Sequence, residues 1–204
     1  MSGGRRFPTI VVALAVAVGL LLGLGLGWLI PRLSTPGDDS AEAGFARDMS
    51  THHSQAVEMG LLAYRNGENP DVRQLGYDIA TAQQGEIGAM QTWLRTWRLN
   101  PTGTQPRMAW MPDGQQALEN GLMPGMATPE QMDQLRNAKG KDFDILFCQL
   151  MLRHHLGGIH MVDGVLDQTS DGEVRRRAEI MKAGQTREIT VLQNLLTDLG
   201  AKPL

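Results

Sequence analysis

Cysteine is nearly absent: Cys148 is the only one in 204 residues. A single thiol cannot form a disulfide within the chain, so the fold must rest on a hydrophobic core rather than on covalent cross-links. Aromatic residues make up 5% of the chain, and no basic block is interleaved with them. That combination removes the stacking platforms and cationic grooves by which proteins hold nucleic acid. Charge of either sign is also scarce in excess, with 19 basic against 22 acidic residues. No stretch alternates apolar and polar residues convincingly, which argues against a sheet. There is no Gly-rich phosphate loop and no convincing nucleophile–base pair, so no enzymatic activity is expected.

Long hydrophobic runs are missing too, with one exception. "TIVVALAVAVGLLLGLGLGWLI", Thr9–Ile30, is uncharged and matches the roughly 20 residues that span a bilayer. Arg5 and Arg6 precede it and Trp28 sits near its far end, which orients the first residues toward the cytoplasm and everything after Ile30 to the outside. Residues 1–30 are therefore expected to be a transmembrane anchor. The alternative is a secretory signal removed near Ala41-Glu42-Ala43, with the protein then released. Pro31–Ala43, "PRLSTPGDDSAEA", reads as a linker, because it combines turn formers and acids without apolar periodicity.

What the chain has in abundance is methionine, twelve in all, and five histidines, four of them in adjacent pairs. "FARDMSTHHSQAVEMG" at 45–60 and "FCQLMLRHHLGGIHMV" at 147–162 share one layout. A shift of 102 positions superimposes them without a gap: Phe45 on Phe147, Met49 on Met151, His52-His53 on His154-His155, Met59 on Met161. The register continues through Gln83 and Gln185, Glu86-Ile87 and Glu188-Ile189, and Leu94 and Leu196. About twelve identities over roughly fifty ungapped residues identify an internal duplication.

Each copy reads as two helices. In the first, 45–98, a helix from Ala41 to Asn66 breaks at "NGENP" and restarts with Asn69 as cap and Pro70 in the first turn. In the second, 142–200, the restart is expected at a capping box of Ser170 and Glu173. The connector, 99–141, is loop followed by a short helix with Thr128 as cap. Two amphipathic hairpins spanning 44–200 make an all-α four-helix bundle.

At about 100° per residue, Phe45, Met49, His52, His53 and Met59 fall within one arc of about 120°. Phe147, Met151, His154, His155 and Met161 do the same. Glu58 and His160 point away from these faces. The second helix of each copy carries Gln83, Glu86 and Met90, or Gln185, Glu188 and Leu192, on its apolar face. A carboxylate there requires a partner, and the inward imidazoles supply it. The interior holds imidazole and thioether together, a set that suits copper, with thioether favouring Cu(I). The bland alternative is ordinary methionine packing around hydrogen-bonded core histidines. The connector methionines Met108, Met111, Met123 and Met126 either hold Cu(I) in transit or form a flap over the bundle. Cys148, whose counterpart is Ala46, reads as a buried small hydrophobe or, less simply, a ligand.

The motifs "DMSTHHSQAVEM", "EIGAM", "MPGMATPEQMDQLRNAKGKDFDILF" and "LMLRHHLGGIHM" resemble a bacterial family described as domain of unknown function 305. The resemblance covers Phe45 to Leu199. It implies a ferritin-like four-helix bundle, usually exported, with some members linked to copper binding and resistance. Position by position it implies Met49, His52, His53, Met59, Glu86, Met90, Met151, His154, His155, Met161 and Glu188 as metal-binding residues. Leu192 departs from the pattern where the first copy has Met90.

The expected function is therefore copper sequestration or delivery outside the cytoplasm. Its expected partners are the membrane, through Thr9–Ile30, a copper-exchanging envelope protein, and a second copy of the chain. Two other classes stay open. One is a structural module of the envelope, with Gly19, Gly23 and Gly27 pairing anchor helices. The other is a di-iron oxidase, which needs Glu-x-x-His pairs where this chain has Ala89 and Val191 three residues after its glutamates.

Overall fold

The computed structural model describes the backbone of residues 8–33 and 35–203, and the side chains of all of these except 26–33. It comprises six helices: α1 (Thr9–Leu33), α2 (Ala41–Asn66), α3 (Pro70–Thr96), α4 (Pro129–Asn137), α5 (Gly140–Leu166) and α6 (Gly172–Asp198). Among the described residues there is no strand, only an isolated bridge between Glu119 and Leu122. The all-α expectation holds. The chain divides into two compact units, one ending at Pro36 and the other beginning at Gly37.

The first unit contains α1. Its described apolar side chains are exposed, Leu14, Leu21 and Leu24 among them. Among the described residues no helix is long and apolar enough to cross a membrane. The transmembrane helix expected over Thr9–Ile30 is thus not supported here, because the described side chains stop at Gly25, short of the roughly 20 residues a span requires. Arg5, Arg6, Trp28 and Gly27, on which the orientation and pairing expectations rested, lie outside the described residues or side chains.

The second unit is built from the duplication. α2 with α3, and α5 with α6, form helical hairpins, and α2 packs on α5 to join them. Helix starts follow local chemistry. The Ser40 side chain accepts from Ala43 N, Asn69 from Asp71 N with Pro70 in the first turn, and Thr128 with Gln131 forms a complete capping box; each satisfies N–H groups that a helix start leaves bare. The α6 cap differs from expectation. Asp171, not Ser170, caps it, accepting from Glu173 N and Val174 N. A carboxylate does this better than a hydroxyl, since it also opposes the positive end of the helix dipole. Asp171 is moreover the duplicate of Asn69.

α2 and α5 run antiparallel, and their ends are tied reciprocally. Asp144 near the start of α5 accepts from Glu68 N and Asn69 N beyond the end of α2. Glu42, the duplicate of Asp144, accepts from the Thr169 hydroxyl beyond the end of α5 at 2.7 Å. Glycine permits the close approach within the first hairpin: a Cβ on Gly60 would lie 2.5 Å from the Gly76 carbonyl oxygen.

The core consists of two apolar clusters. One holds Met59, Met151, Leu192, Phe143, Phe147 and Cys148, with Met132 and Leu135 of α4. The other holds Met49, Met90, Met161, Phe45 and Trp93, with Met108, Met111 and Met123 of the connector. Each cluster draws one of the paired methionines from α2 and the other from α5. The histidine pairs lie between these methionines on both helices, so an imidazole layer separates the two clusters.

Gly60→Ala should lower stability by about 1–3 kcal/mol, because the methyl meets main chain rather than a flexible side chain. Gly85→Ala, whose added methyl meets nothing within 4 Å, should be neutral or stabilising. Thermal unfolding followed by circular dichroism separates the two.

Candidate metal centre

The two histidine pairs are placed by α2 and α5, and all four rings are buried. Their Nε2 atoms have fixed partners. His53 Nε2 donates to Glu86 Oε2 at 2.7 Å, and His155 Nε2 donates to Glu188 Oε2 at 2.6 Å. His154 Nε2 donates to the main-chain carbonyl of His52, and His52 Nε2 to that of Pro124, both at 3.0 Å. A carbonyl or carboxylate only accepts, so each Nε2 carries the proton. The rings of His52 and His154 lie face to face across the α2–α5 contact, centroids 3.8 Å apart and planes inclined by 34°.

With the protons on Nε2, the other ring nitrogens carry lone pairs. Nδ1 of His52, His53 and His155 is buried and has no hydrogen-bond partner. The same is true of Oε1 of Gln83 and Gln185, the carboxamides that the duplication places on the inward faces of α3 and α6. Unpaired buried polar atoms are uncommon and mark a site that something else completes. Burial, and then the neighbouring His53, lower the pKa of His52 to about 3. Burial first, and the adjacent imidazoles after it, hold His154 well below the ordinary histidine range. These two rings are therefore neutral.

The partner of His52 was not legible as a side chain. Met123–Met126 forms a tight turn, closed by Met126 N donating to Met123 O at 3.1 Å. Proline stands at its second position and Gly125 at its third with φ +75°, the type II pattern. The turn lies flat on α5: a Cβ on Gly157 would sit 1.9 Å from the Pro124 carbonyl oxygen. Gln55 of α2 secures the chain just beyond, donating to Ala127 O and accepting from Ala127 N. "MPGMA" is thus a main-chain clamp on the imidazole layer.

All eleven expected site residues lie along the inward faces, but they do not form one cluster. Met49, Met90 and Met161 lie on one side of the imidazole layer, Met59 and Met151 on the other. Among the described residues, no three His, Cys, Asp or Glu side chains gather to hold a metal ion by themselves. Glu86 and Glu188 are also less buried than expected, with 23% of each side chain exposed; they close the layer from its edges. His160 is exposed and pairs with Asp113 at 2.9 Å, and Glu58 pairs with Arg136, so both face away, as the helical angles require. Cys148 is fully buried in the cluster with Met59 and Met151, and that burial pushes its thiol up to about 12, so in the metal-free protein it is a packed, protonated thiol.

The family model described as Domain of unknown function (DUF305) matches residues 42–196. Among solved structures, the chain is similar to a candidate secreted DUF305 protein from Streptomyces coelicolor, with 41% identity and a TM-score of 0.76 over 82% of this chain and 99% of that one. A DUF305 fragment from Deinococcus radiodurans is 26% identical, with a TM-score of 0.65 over 78% and 96%. CopM in its Cu(II)-bound form is 23% identical, with a TM-score of 0.62 over 78% and 97%; forms with Cu(I) and Ag match similarly. At that identity the likeness to CopM shows the fold. No curated protein matches the chain.

The neutral interior histidines set a pH dependence. The unfolded chain takes up protons at both positions below about pH 6.5, while folded His52 stays neutral to about pH 3. Their folded pKa values are lowered, so this stability is complete above pH 6.5 and is lost as pH falls, by about 1.4 kcal/mol per pH unit for each group. Urea midpoints of the metal-free protein should already fall between pH 6.5 and 5, before carboxylates titrate. A flat profile there contradicts neutral burial.

Proposed function

The chain belongs to the DUF305 family, and from that premise we propose that it is a copper-binding protein working outside the cytoplasm. One observation carries the reading: buried Nδ1 atoms of His52, His53 and His155 without partners, on rings whose Nε2–H groups are held by carboxylates and carbonyls. Histidine ligands of metals are held in this way, their second ring nitrogen donating to a carboxylate or carbonyl. Thioethers of Met49, Met90 and Met161 on one side and Met59 and Met151 on the other supply the softer ligands, and imidazole with thioether selects copper over zinc, iron or magnesium. Glu86 and Glu188 orient His53 and His155 and balance the cation's charge. The forms of CopM with copper and silver support this choice of metal. We take the four long helices as a ferritin-like bundle used for binding rather than catalysis, since the di-iron alternative lacks its Glu-x-x-His pairs.

The location rests on two supports, the candidate secreted relative and the uncharged run Thr9–Ile30. The apolar side chains of α1 exposed on that unit suit a lipid environment, and retention as an anchor explains them better than a free aqueous helix. Fractionation of cells making the full chain should leave the protein in the membrane, with the second unit open to protease added outside. Recovery in the cytoplasm contradicts the extracytoplasmic reading; release into the medium contradicts only the anchor.

Double replacement of His52 with His53, or of His154 with His155, by alanine should sharply reduce copper affinity in calorimetric titrations. Glu86→Gln should cost about 10–100-fold, because it keeps the shape and removes the charge that holds His53. His160→Ala should leave affinity unchanged. A critical His160 with silent interior pairs contradicts the site.

A further inference from the structure

The duplication predicts two equivalent flanks around the imidazole layer, and the structure builds two different ones. On one side Leu192 stands where the other has Met90, and α4 covers the cluster. On the other, the connector adds Met108, Met111 and Met123 to Met49, Met90 and Met161. None of these six is more than 7% exposed.

Methionine usually fills core gaps without fixed geometry. The connector methionines are held differently, each by a main-chain feature. Met108 adopts φ +62°, a left-handed conformation that non-glycine residues avoid, and its N–H donates to Asp48 Oδ2 at 2.7 Å. Met111 lies over Gly164, where a Cβ would be 3.1 Å from its sulfur and 2.6 Å from its methyl carbon, so the bare glycine leaves room for the thioether to lie against α5. Met123 opens the turn whose Pro124 carbonyl accepts from His52. The same connector is pinned to α2 by Trp110, whose Nε1 donates to Asp48 Oδ2 at 2.9 Å and whose ring lies against Gly44.

Thioethers are neutral, so a cation among them needs a counter-charge nearby. Asp48 supplies a carboxylate that is only 8% exposed. It precedes Met49 and holds the Met108 main chain. Its counterpart in the second copy is Leu150; the buried carboxylate of the opposite flank, Asp144, lies beside Cys148 and is taken up by the Glu68 and Asn69 N–H groups.

We propose that the connector closes a second, sulfur-only site on this flank, drawn from Met108, Met111 and Met123 with Met49, Met90 and Met161, for a soft monovalent cation of the Cu(I) or Ag(I) class. The inference rests on the copper reading for the three bundle methionines and goes beyond it in assigning the connector residues and the oxidation state. Thioether prefers the softer ion, so this flank is selective for Cu(I), whereas the imidazole layer accepts copper in either oxidation state.

The test uses the full chain and the triple variant Met108→Leu, Met111→Leu, Met123→Leu, with the three single variants beside it. Methionine-to-leucine exchange nearly conserves volume, and circular dichroism checks the fold of each. Anaerobic titration with Cu(I) against a competing chelator, and separately with Cu(II), reads stoichiometry, while X-ray absorption reads sulfur around Cu(I). The expected result is loss of one Cu(I) equivalent and of its sulfur signature in the triple variant, with Cu(II) binding intact. If the triple variant does not fold, weakened Cu(I) binding in the folded single variants is the supporting result. Unchanged Cu(I) stoichiometry, affinity and sulfur signature in every folded variant overturns the proposal. So does a wild-type chain that binds Cu(II) without Cu(I), an outcome that leaves the imidazole site standing. A wild-type chain that binds neither ion overturns both.

Discussion

Each of the four interior imidazoles gives its Nε2 proton to an acceptor fixed by the backbone or by a facing helix. Those four hydrogen bonds determine much else in the domain. They make burial of the rings tolerable, since an unpaired polar group in an apolar core is expensive. They also fix the tautomer, leaving the Nδ1 lone pairs of His52, His53 and His155 without a partner. Because one acceptor is the His52 carbonyl and another is Pro124 in the connector, the same bonds fasten α2 to α5 and fold the connector back onto the bundle. The type II turn at Pro124-Gly125, the glycine at 157 and the Gln55 clamp are all arranged to bring one carbonyl to one ring.

The imidazole layer also divides the core. Antiparallel packing of α2 on α5 places Met49 beside Met161 and Met59 beside Met151, so the duplication generates two thioether flanks with the rings between them. Symmetry stops there. The connector exists once and covers the two flanks differently, with its loop on one and α4 on the other, and Asp48, Trp110 and Leu192 follow that division. A duplicated sequence thereby yields two chemically distinct ends, one where the connector loop adds Met108, Met111 and Met123 beside Asp48 and one where α4 packs over Met59 and Met151.

Much of this was legible in the residues. The helix over Ala41–Asn66, the restart at Asn69-Pro70 and the Thr128 cap follow from local signals, and the structure has them where those signals stand. Helical angles correctly turned His52, His53, His154 and His155 inward and His160 and Glu58 outward. The pairs His53–Glu86 and His155–Glu188 were readable from faces and from their shared spacing. The partners of His52 and His154 were not, because a main-chain carbonyl carries no residue identity and the ring stacking depends on how two hairpins cross. Ser170 looked the better cap because the serine-to-glutamate spacing fits a capping box; Asp171 wins by charge and by reaching two N–H groups. The sorting of methionines between two flanks also needed the tertiary structure, since helical periodicity gives a face but not the neighbour opposite it.

The central claim is that the interior rings are held with Nε2 protonated and that Nδ1 of His52, His53 and His155 is left bare for a metal. Nitrogen-15 resonance of the histidine side chains, recorded on the metal-free protein and again with diamagnetic Cu(I), reads this directly. The account predicts the Nε2–H tautomer for His52, His53, His154 and His155 without metal, and a shift of the Nδ1 signals of His52, His53 and His155 when Cu(I) is added, with His160 unaffected. Protons on Nδ1 in the metal-free protein, or Cu(I) addition that moves only His160, would contradict it.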